Sequence, residues 1–429
     1  MLTQTVHNTL SQLIDGHSNS IAVAFSGGGD SAALLSFVCK WAKTHNKNVF
    51  ALIVDHGLRD ASVGECIAAA KTAAEMGAQA HILNWDGPKP TSALQEKARY
   101  ARYALLGHAC RELGCTQLLL GHTQDDQAET LFMRVKMQSG WRGYAGMRMR
   151  AQSPIWPALY DIEVLRPLLG ITRVELREYN AQNEVPYIDD PSNENHKFAR
   201  VRVRAQLAKL PEIKTQFTLT AKHAQACLAE EKEKIRAVLA EYLTSYPWGG
   251  VTLDIVGLTA HSSLAPEVLK YLIRAVSGNA QPVLVEKIER LATGVCRETF
   301  RGATLGGAQF VKWQDNQLLI VRDPGDIFGR HQKKPYEDIL VSSQKPILWD
   351  GRLLFHVKGE GLRLSPVMAH YESLSATQKQ ILKTVPEPAR AGLACVLQGD
   401  EVIWSYGQIA GDLVQMSCYV EAHLTTMVT

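Results

Sequence analysis

The sequence predicts an α/β protein with a helix-covered parallel sheet in its first half, a mainly helical middle domain and a small β-rich end domain. Three observations carry this reading. Short apolar runs alternate with helix-patterned stretches from Ser20 to about Met137, the alternation fades after Pro167, and short strand patterns take over from about Glu298. A chain of 429 residues also exceeds what one hydrophobic core accommodates, so two or three domains are expected.

The first strand is Ile21–Phe25, an apolar run followed by three glycines and a helical stretch from Ser31. Val49–Val54 is the second, ending at Asp55-His56-Gly57 and leading to an alanine-rich helix over about Ser62–Met76. Ala80–Leu83 precedes a helix through Leu94–Leu113, and Gln117–Leu120 precedes another from Asp125. Strands that alternate with helices in this way form a parallel sheet covered on both faces, with ligands at the carboxyl ends of the strands. Beyond Pro167, helices are expected at Thr172–Asn180, Lys197–Leu210, Leu264–Val276 and Val283–Ala292, with one long helix or two over Thr218–Leu243. Strands are expected at Thr304–Ala308, Gln309–Trp313 and Leu318–Val321, and a linker at Gly329–Pro335. The resulting division is 1–212 for a catalytic domain, 213–330 for the helical domain and 336–429 for the end domain.

Composition narrows the class. With 46% hydrophobic and 21% charged residues and a net charge of +3, the chain has an ordinary globular profile. Its eight cysteines include no C-x-x-C pair, which removes support for a zinc ribbon, a thioredoxin-type site or an iron–sulfur run. No signal-peptide pattern and no membrane-length apolar window is present, so a cytoplasmic protein without a membrane partner is expected.

Ser26-Gly27-Gly28-Gly29-Asp30-Ser31 carries the strongest chemical signal. Three glycines after a buried strand let the backbone approach a ligand, and the N–H groups at the following helix start suit phosphate. Ser26 and Ser31 add hydroxyls, and Asp30 can reach a magnesium ion held by the phosphates. A dinucleotide fingerprint is a competing reading, because Gly27, Gly29 and Ala32 fit G-x-G-x-x-A and Asp55 ends the next strand. It leaves Asp30 and Ser31 unexplained. A Walker A loop fails, since Asp30 stands where the lysine belongs.

Ser-Gly-Gly-x-Asp-Ser after a first strand resembles the signature of the N-type ATP pyrophosphatases, the PP-loop superfamily, whose adenine nucleotide alpha hydrolase-like domain is Rossmann-like. Further segments sharpen the likeness: Val54–Arg59, Gln95 with Ala98–Tyr103, Gly121–Thr130 and Ser139–Met147. In this order they resemble the tRNA(Ile)-lysidine synthases over roughly residues 18–210, with weaker likeness at Thr304–Gly307 and Trp349–Arg352. The resemblance implies ATP and Mg2+ as cofactors, with the C2 oxygen of the wobble cytidine in a CAU anticodon of tRNA(Ile) adenylated. The ε-amine of free L-lysine then displaces AMP. It implies Ser26–Ser31, Asp55, His56 and Arg102 for ATP, with Arg102 near the α-phosphate, and His122, Asp126 and Glu129 for lysine. Asp30, Arg102, Asp126 and Glu129 are the implied catalytic set, with Asp30 and Glu129 toward the metal. From the residues alone, Asp126 and Glu129 share a helix face and suit amine binding, magnesium binding or proton transfer, while Asp125 is expected to cap the helix. His56 reads equally well as a structural histidine.

Two stretches free of acids point to RNA. One carries Arg134, Lys136, Arg142, Arg148 and Arg150, the other Lys197, Arg200, Arg202, Arg204 and Lys209. Trp141, Tyr144 and Phe198 are candidates for stacking on unpaired bases, and Trp156 is expected in the core. The sequence departs from the family pattern at Thr123, Gln138 and Val201, where a histidine, an arginine and an asparagine are usual. The rivals are a tRNA thiolase of the same superfamily and a non-catalytic RNA-binding protein. A homodimer is left open by the sequence.

Overall fold

The computed structural model describes residues 1–16, 18–58, 62–87, 89–90, 92–188, 199–278, 282–314, 316–329, 337–341, 345–408 and 413–429. They divide into two compact units, Met1–Glu230 and Glu231–Thr429.

The first unit runs α1 (Leu2–Leu13), β1 (Ser20–Ala24), α2 (Gly29–His45), β2 (Asn48–Asp55), α3 (Ser62–Glu75), β3 (Gln79–Asn84) and α4 (Leu94–Glu112). It continues with β4 (Gln117–Leu119), α5 (Gln124–Lys136), β5 (Arg150–Gln152), β6 (Glu163–Leu165), α6 (Arg173–Gln182), α7 (Ala199–Leu207) and the start of α8 (Pro211–Tyr242), which runs past Glu230 into the second unit. The sheet order is β3-β2-β1-β4-β6-β5. Every neighbouring pair is parallel except β5–β6, so the expected parallel sheet gains an antiparallel edge strand.

Period-two alternation explains why β1 is apolar throughout. Ile21, Val23 and Phe25 join the core formed with α1, α2 and α6, whereas Ala22 and Ala24 join Leu52, Tyr103 and Leu106 on the other face. Because β1 has β2 on one side and β4 on the other, the connections leaving β1 and β4 separate at their carboxyl ends. That opening is the topological switch point where a doubly wound sheet takes its ligand. The Ser26–Ser31 loop sits there.

The expected helices at Thr172–Asn180 and Leu94–Leu113 appear as α6 and α4, and α7 covers the described part of the basic helix. The Asp189–Asn193 turn, Lys197 and Phe198 lie outside the described residues. The stretch expected to hold one long helix or two is the single helix α8.

In the second unit, β7 (Leu243–Ser245), β8 (Val251–Asp254), β9 (Gly302–Leu305), β10 (Ala308–Lys312) and β11 (Gln317–Arg322) form an antiparallel sheet in the order β7-β8-β11-β10-β9. The strand expected over Thr304–Ala308 is instead split by Gly306 and Gly307 at φ of 62° and 86°. Positive φ at two successive residues makes a tight hairpin turn, which glycine permits. Helices α9 (Ala265–Ser277) and α10 (Val285–Val295) supply the helical middle. Along β11, Leu318 and Ile320 face the core shared with these helices, while Leu319 and Val321 face the core of the strand-rich end. Helical middle and β-rich end therefore cover opposite faces of one sheet. From residue 330 onward the expected linker lies outside the described residues. The Trp349–Arg352 motif is structural: Asp350 accepts from Arg322 and Arg352, each at 2.8 Å, and Gly351 lies against the Gly278 backbone.

Among the described residues no helix is long and apolar enough to cross a membrane.

One close approach holds α4, the carrier of Arg102, in place. A methyl added at Gly107 would lie 2.2 Å from the carbonyl oxygen of Ala158. Gly107→Ala is therefore expected to destabilise the first unit by about 1–3 kcal/mol or more, read as a lowered thermal midpoint. An unchanged midpoint would contradict this packing.

Candidate active site

The loop after β1 is organised before any ligand arrives. Gly27 has φ of 80°, and Gly28 is the N-cap of α2. The Ser31 hydroxyl donates to the carbonyl of Gly28 (2.8 Å) and lies 3.1 Å from that of Ser26. The first turn of α2 thus presents free N–H groups with Asp30 beside them.

A cavity of about 390 Å³ opens next to this loop. Ser26, Val54, Asp55, His56 and Arg102 are among its lining residues, so the structure brings Ser26, Asp55, His56 and Arg102 of the expected nucleotide set to one cavity, while Gly27–Ser31 do not line it. The Gly57 N–H donates to Asp55 (2.8 Å) and, as the main cause, holds its carboxyl below the ordinary value. Burial, then the neighbouring Arg102, lowers the His56 imidazole. Burial also lowers Arg102, and no carboxylate among the described residues pairs with it.

The acids converge on a residue the sequence reading missed. Arg173, the first residue of α6, donates from Nε to Asp30 (3.1 Å), from Nη1 to Glu129 (2.7 Å) and from Nη2 to Asp126 (2.5 Å). Its backbone N–H donates to Asp125 (2.8 Å), whose other oxygen takes Lys214 (2.7 Å). Asp125 does not cap α5, contrary to expectation. Thr123 is the N-cap and Asp126 its reciprocal partner, because the capping box requires the third helical residue and Asp125 is only the second. Asp125 serves the N-terminus of α6 instead. Thr172, with Glu175 three residues on, forms a second capping box and sets Arg173 at the helix start, a signal legible in the sequence.

The oxygens of the cage are unevenly committed. Asp126 Oδ2 accepts from the Thr123 N–H and hydroxyl at 2.8 and 2.9 Å, and its Oδ1 takes Arg173. Glu129 Oε1 takes Arg173 and Arg204 (3.0 Å), but Oε2 is buried without a partner among the described residues, in a side chain only 1% exposed. Burial raises the Asp30 carboxyl, and Arg173 only partly opposes this. Among the described residues no group of three or more His, Cys, Asp or Glu is arranged to hold a metal ion. Asp30, at the mouth of the loop, fits an ion carried in by phosphate oxygens.

A model of the PP-loop domain family matches residues 2–211. The chain is 36% identical over 296 residues to the tRNA(Ile)-lysidine synthase of Hyphomonas neptunium, spanning 67% of this chain and 78% of that one. It is 31% identical over 424 residues to the tRNA(Ile)-lysidine synthase of Caulobacter vibrioides, spanning 98% and 93%. The chain belongs to the tRNA(Ile)-lysidine synthase family.

Thr123, expected to depart from the family pattern, has a visible role, since it forms the capping box that orients Asp126. Gln138 adopts φ of 50° just past α5, and Val201 is half-buried on α7. The basic runs behave differently from each other. Lys136 bonds Gln206 (3.0 Å), and Arg142 stacks on Trp141, which is 40% exposed. Arg134 lies in the last turn of α5, and the Arg148 carbonyl accepts from Arg166 (2.9 Å). Arg150 pairs with Glu163 (3.2 Å) despite the acid-free stretch around it. Arg204 pairs with Glu129, and Arg200 lies 3.9 Å from Asp126, so these two face the acid cage as well as the basic helix surface. Arg202, two residues from each, is exposed. Trp156 is core, as expected, at 2% exposure. Burial pushes Cys115 up to about 11 and raises Cys110 further, which leaves both as protonated thiols.

Arg173→Met would leave three partly to fully buried carboxylates without their shared cation. It is expected to cost about 3–5 kcal/mol of stability, measured by urea unfolding at pH 7, with Arg173→Lys recovering part of the loss. An unfolding curve identical to that of the unaltered protein would show that the guanidinium is not what holds the cage.

Proposed function

We propose that the chain ligates free L-lysine to C2 of the wobble cytidine in the CAU anticodon of tRNA(Ile), through an adenylated cytidine, releasing pyrophosphate and then AMP. The observation that carries this reading is Glu129 Oε2, a buried acceptor without a partner among the described residues, set in an acid cage that also contains the Asp30 of an ATP-type loop. A cationic amine matches it. The names carried by the relatives support the same reading.

In the first step the cytidine C2 oxygen attacks the α-phosphorus and pyrophosphate leaves. Ser26–Ser31 hold the phosphates through backbone and hydroxyl donors, and Asp55, His56 and Arg102 line the nucleotide cavity. Arg102, with no acidic partner, opposes charge on the α-phosphoryl group and later on departing AMP. Magnesium, held by Asp30 and the phosphates, would supply further charge neutralisation. In the second step the lysine nitrogen forms its bond to C2, the C2–O bond breaks, and AMP departs with its electron pair. The amine attacks only when neutral, and Glu129 takes its proton. Asp126 and Arg173 hold Glu129 in register.

Arg134, Lys136, Arg142, Arg148, Arg200, Arg202 and Arg204 are proposed to contact RNA phosphates, with the helical and β-rich parts on the acceptor arm. The expected cytoplasmic setting belongs to the same reading. A thiolase is disfavoured by the protonated, buried Cys110 and Cys115.

Incubation with tRNA(Ile) transcript, ATP and labelled lysine should place label in the RNA. AMP release without label would mean that another nucleophile is used. Glu129→Gln should lower incorporation by roughly 10²–10⁴-fold while sparing tRNA binding, and binding lost in step with activity would make Glu129 structural. The tRNA affinity should fall steeply as salt rises, whereas a flat response would remove the basic runs from the interface.

A further inference from the structure

His122 lies between β4 and α5, and its Nδ1 is 3.2 Å from Nε of Arg166. An arginine stays protonated and offers donors only, so Nδ1 must present its lone pair. A neutral imidazole then carries its single proton on Nε2. No hydrogen bond to Nε2 occurs among the described residues, and the ring lies within reach of Asp126 and Arg102 of the site. Arg166 itself is only 8% exposed, holds the Arg148 carbonyl through Nη1 (2.9 Å) and pairs with no carboxylate among the described residues. The charged groups around the ring are Arg166, Asp126, Arg102 and Arg200.

We propose that Arg166 is a positioning residue that fixes His122 as a neutral Nε2–H donor toward an anionic oxygen of the reacting nucleotide. This differs from the lysine contact that the family resemblance implies for His122. An ammonium needs acceptors, and the open edge of this ring offers a proton, while the acceptor edge is occupied by a cation. His122 therefore works with Arg102 on the phosphoryl side, leaving the amine to Glu129. Burial first, then Arg166, pushes the imidazole down to about 3, so it stays neutral across the working pH range. The identity of the nucleotide rests on the ligase reading. The tautomer does not.

The tautomer is read directly from ring-nitrogen NMR signals of ¹⁵N-histidine-labelled, ligand-free protein, with His122 assigned by its loss in His122→Gln. The expected result is a protonated Nε2 and bare Nδ1 from pH 8 to pH 5, with Arg166→Met moving titration toward the ordinary value near 6.5. Protonation within that window in the unaltered protein, or a proton on Nδ1, would overturn the proposal. In lysine incorporation, His122→Gln keeps an N–H donor and should hold kcat within about tenfold, while His122→Ala should lower it roughly 10²–10³-fold. KM for lysine should change in neither. A raised KM for lysine with unchanged kcat would return His122 to the amine and sink the proposal, even if Arg166→Met fails to fold. The NMR measurement needs no substrate, so it decides the tautomer separately from whether lysine is the true nucleophile.

Discussion

The guanidinium of Arg173 is the interaction on which the site depends. Carboxylates from α2 and α5 cannot gather in a partly dry pocket without a cation, because each would face desolvation and mutual repulsion. Arg173 meets Asp30, Asp126 and Glu129 with three different nitrogens, and its own N–H is held by Asp125. Three helices are thereby fixed against one another at the carboxyl edge of the sheet. The two capping boxes at Thr123 and Thr172 set the helix starts that make this geometry reachable.

Charge is sorted across the site. The cage holds acids that already have cations, and its buried acceptor Glu129 Oε2 has no partner among the described residues. On the side proposed for the nucleotide, Arg102 and Arg166 have no carboxylate among the described residues, and both are lowered by burial. Buried guanidinium groups without a carboxylate call for an anion, and a buried acceptor oxygen without a partner calls for a hydrogen-bond donor. An anionic phosphoryl group and a cationic amine meet these demands on neighbouring surfaces, which is what a reaction between the two requires.

Much of this was legible in the chain. The apolar runs at Ile21–Phe25 and Val49–Val54 announced a two-sided parallel sheet, and the glycine loop announced its phosphate site. Asp126 and Glu129 were separated by one helical turn and were read together. Arg173 was not legible as their partner, since it lies 143 residues from Asp30 and only the folded sheet brings them into contact. Thr123 rather than Asp125 caps α5, because neighbouring polar residues at a helix start all look like caps until the first helical residue is known. The antiparallel edge strand β5 was missed because a three-residue strand carries too little pattern. Arg204 was read from its basic helix as an RNA contact, and its second face, toward Glu129, depends on how α7 packs against α5.

The most direct test of this account is a crystal structure with L-lysine and a non-hydrolysable ATP analogue bound together. The account predicts the ε-nitrogen of lysine within about 3 Å of Glu129 Oε2, with Arg173 still bridging Asp30 and Asp126. Lysine bound elsewhere, with Oε2 still without a partner, would contradict it.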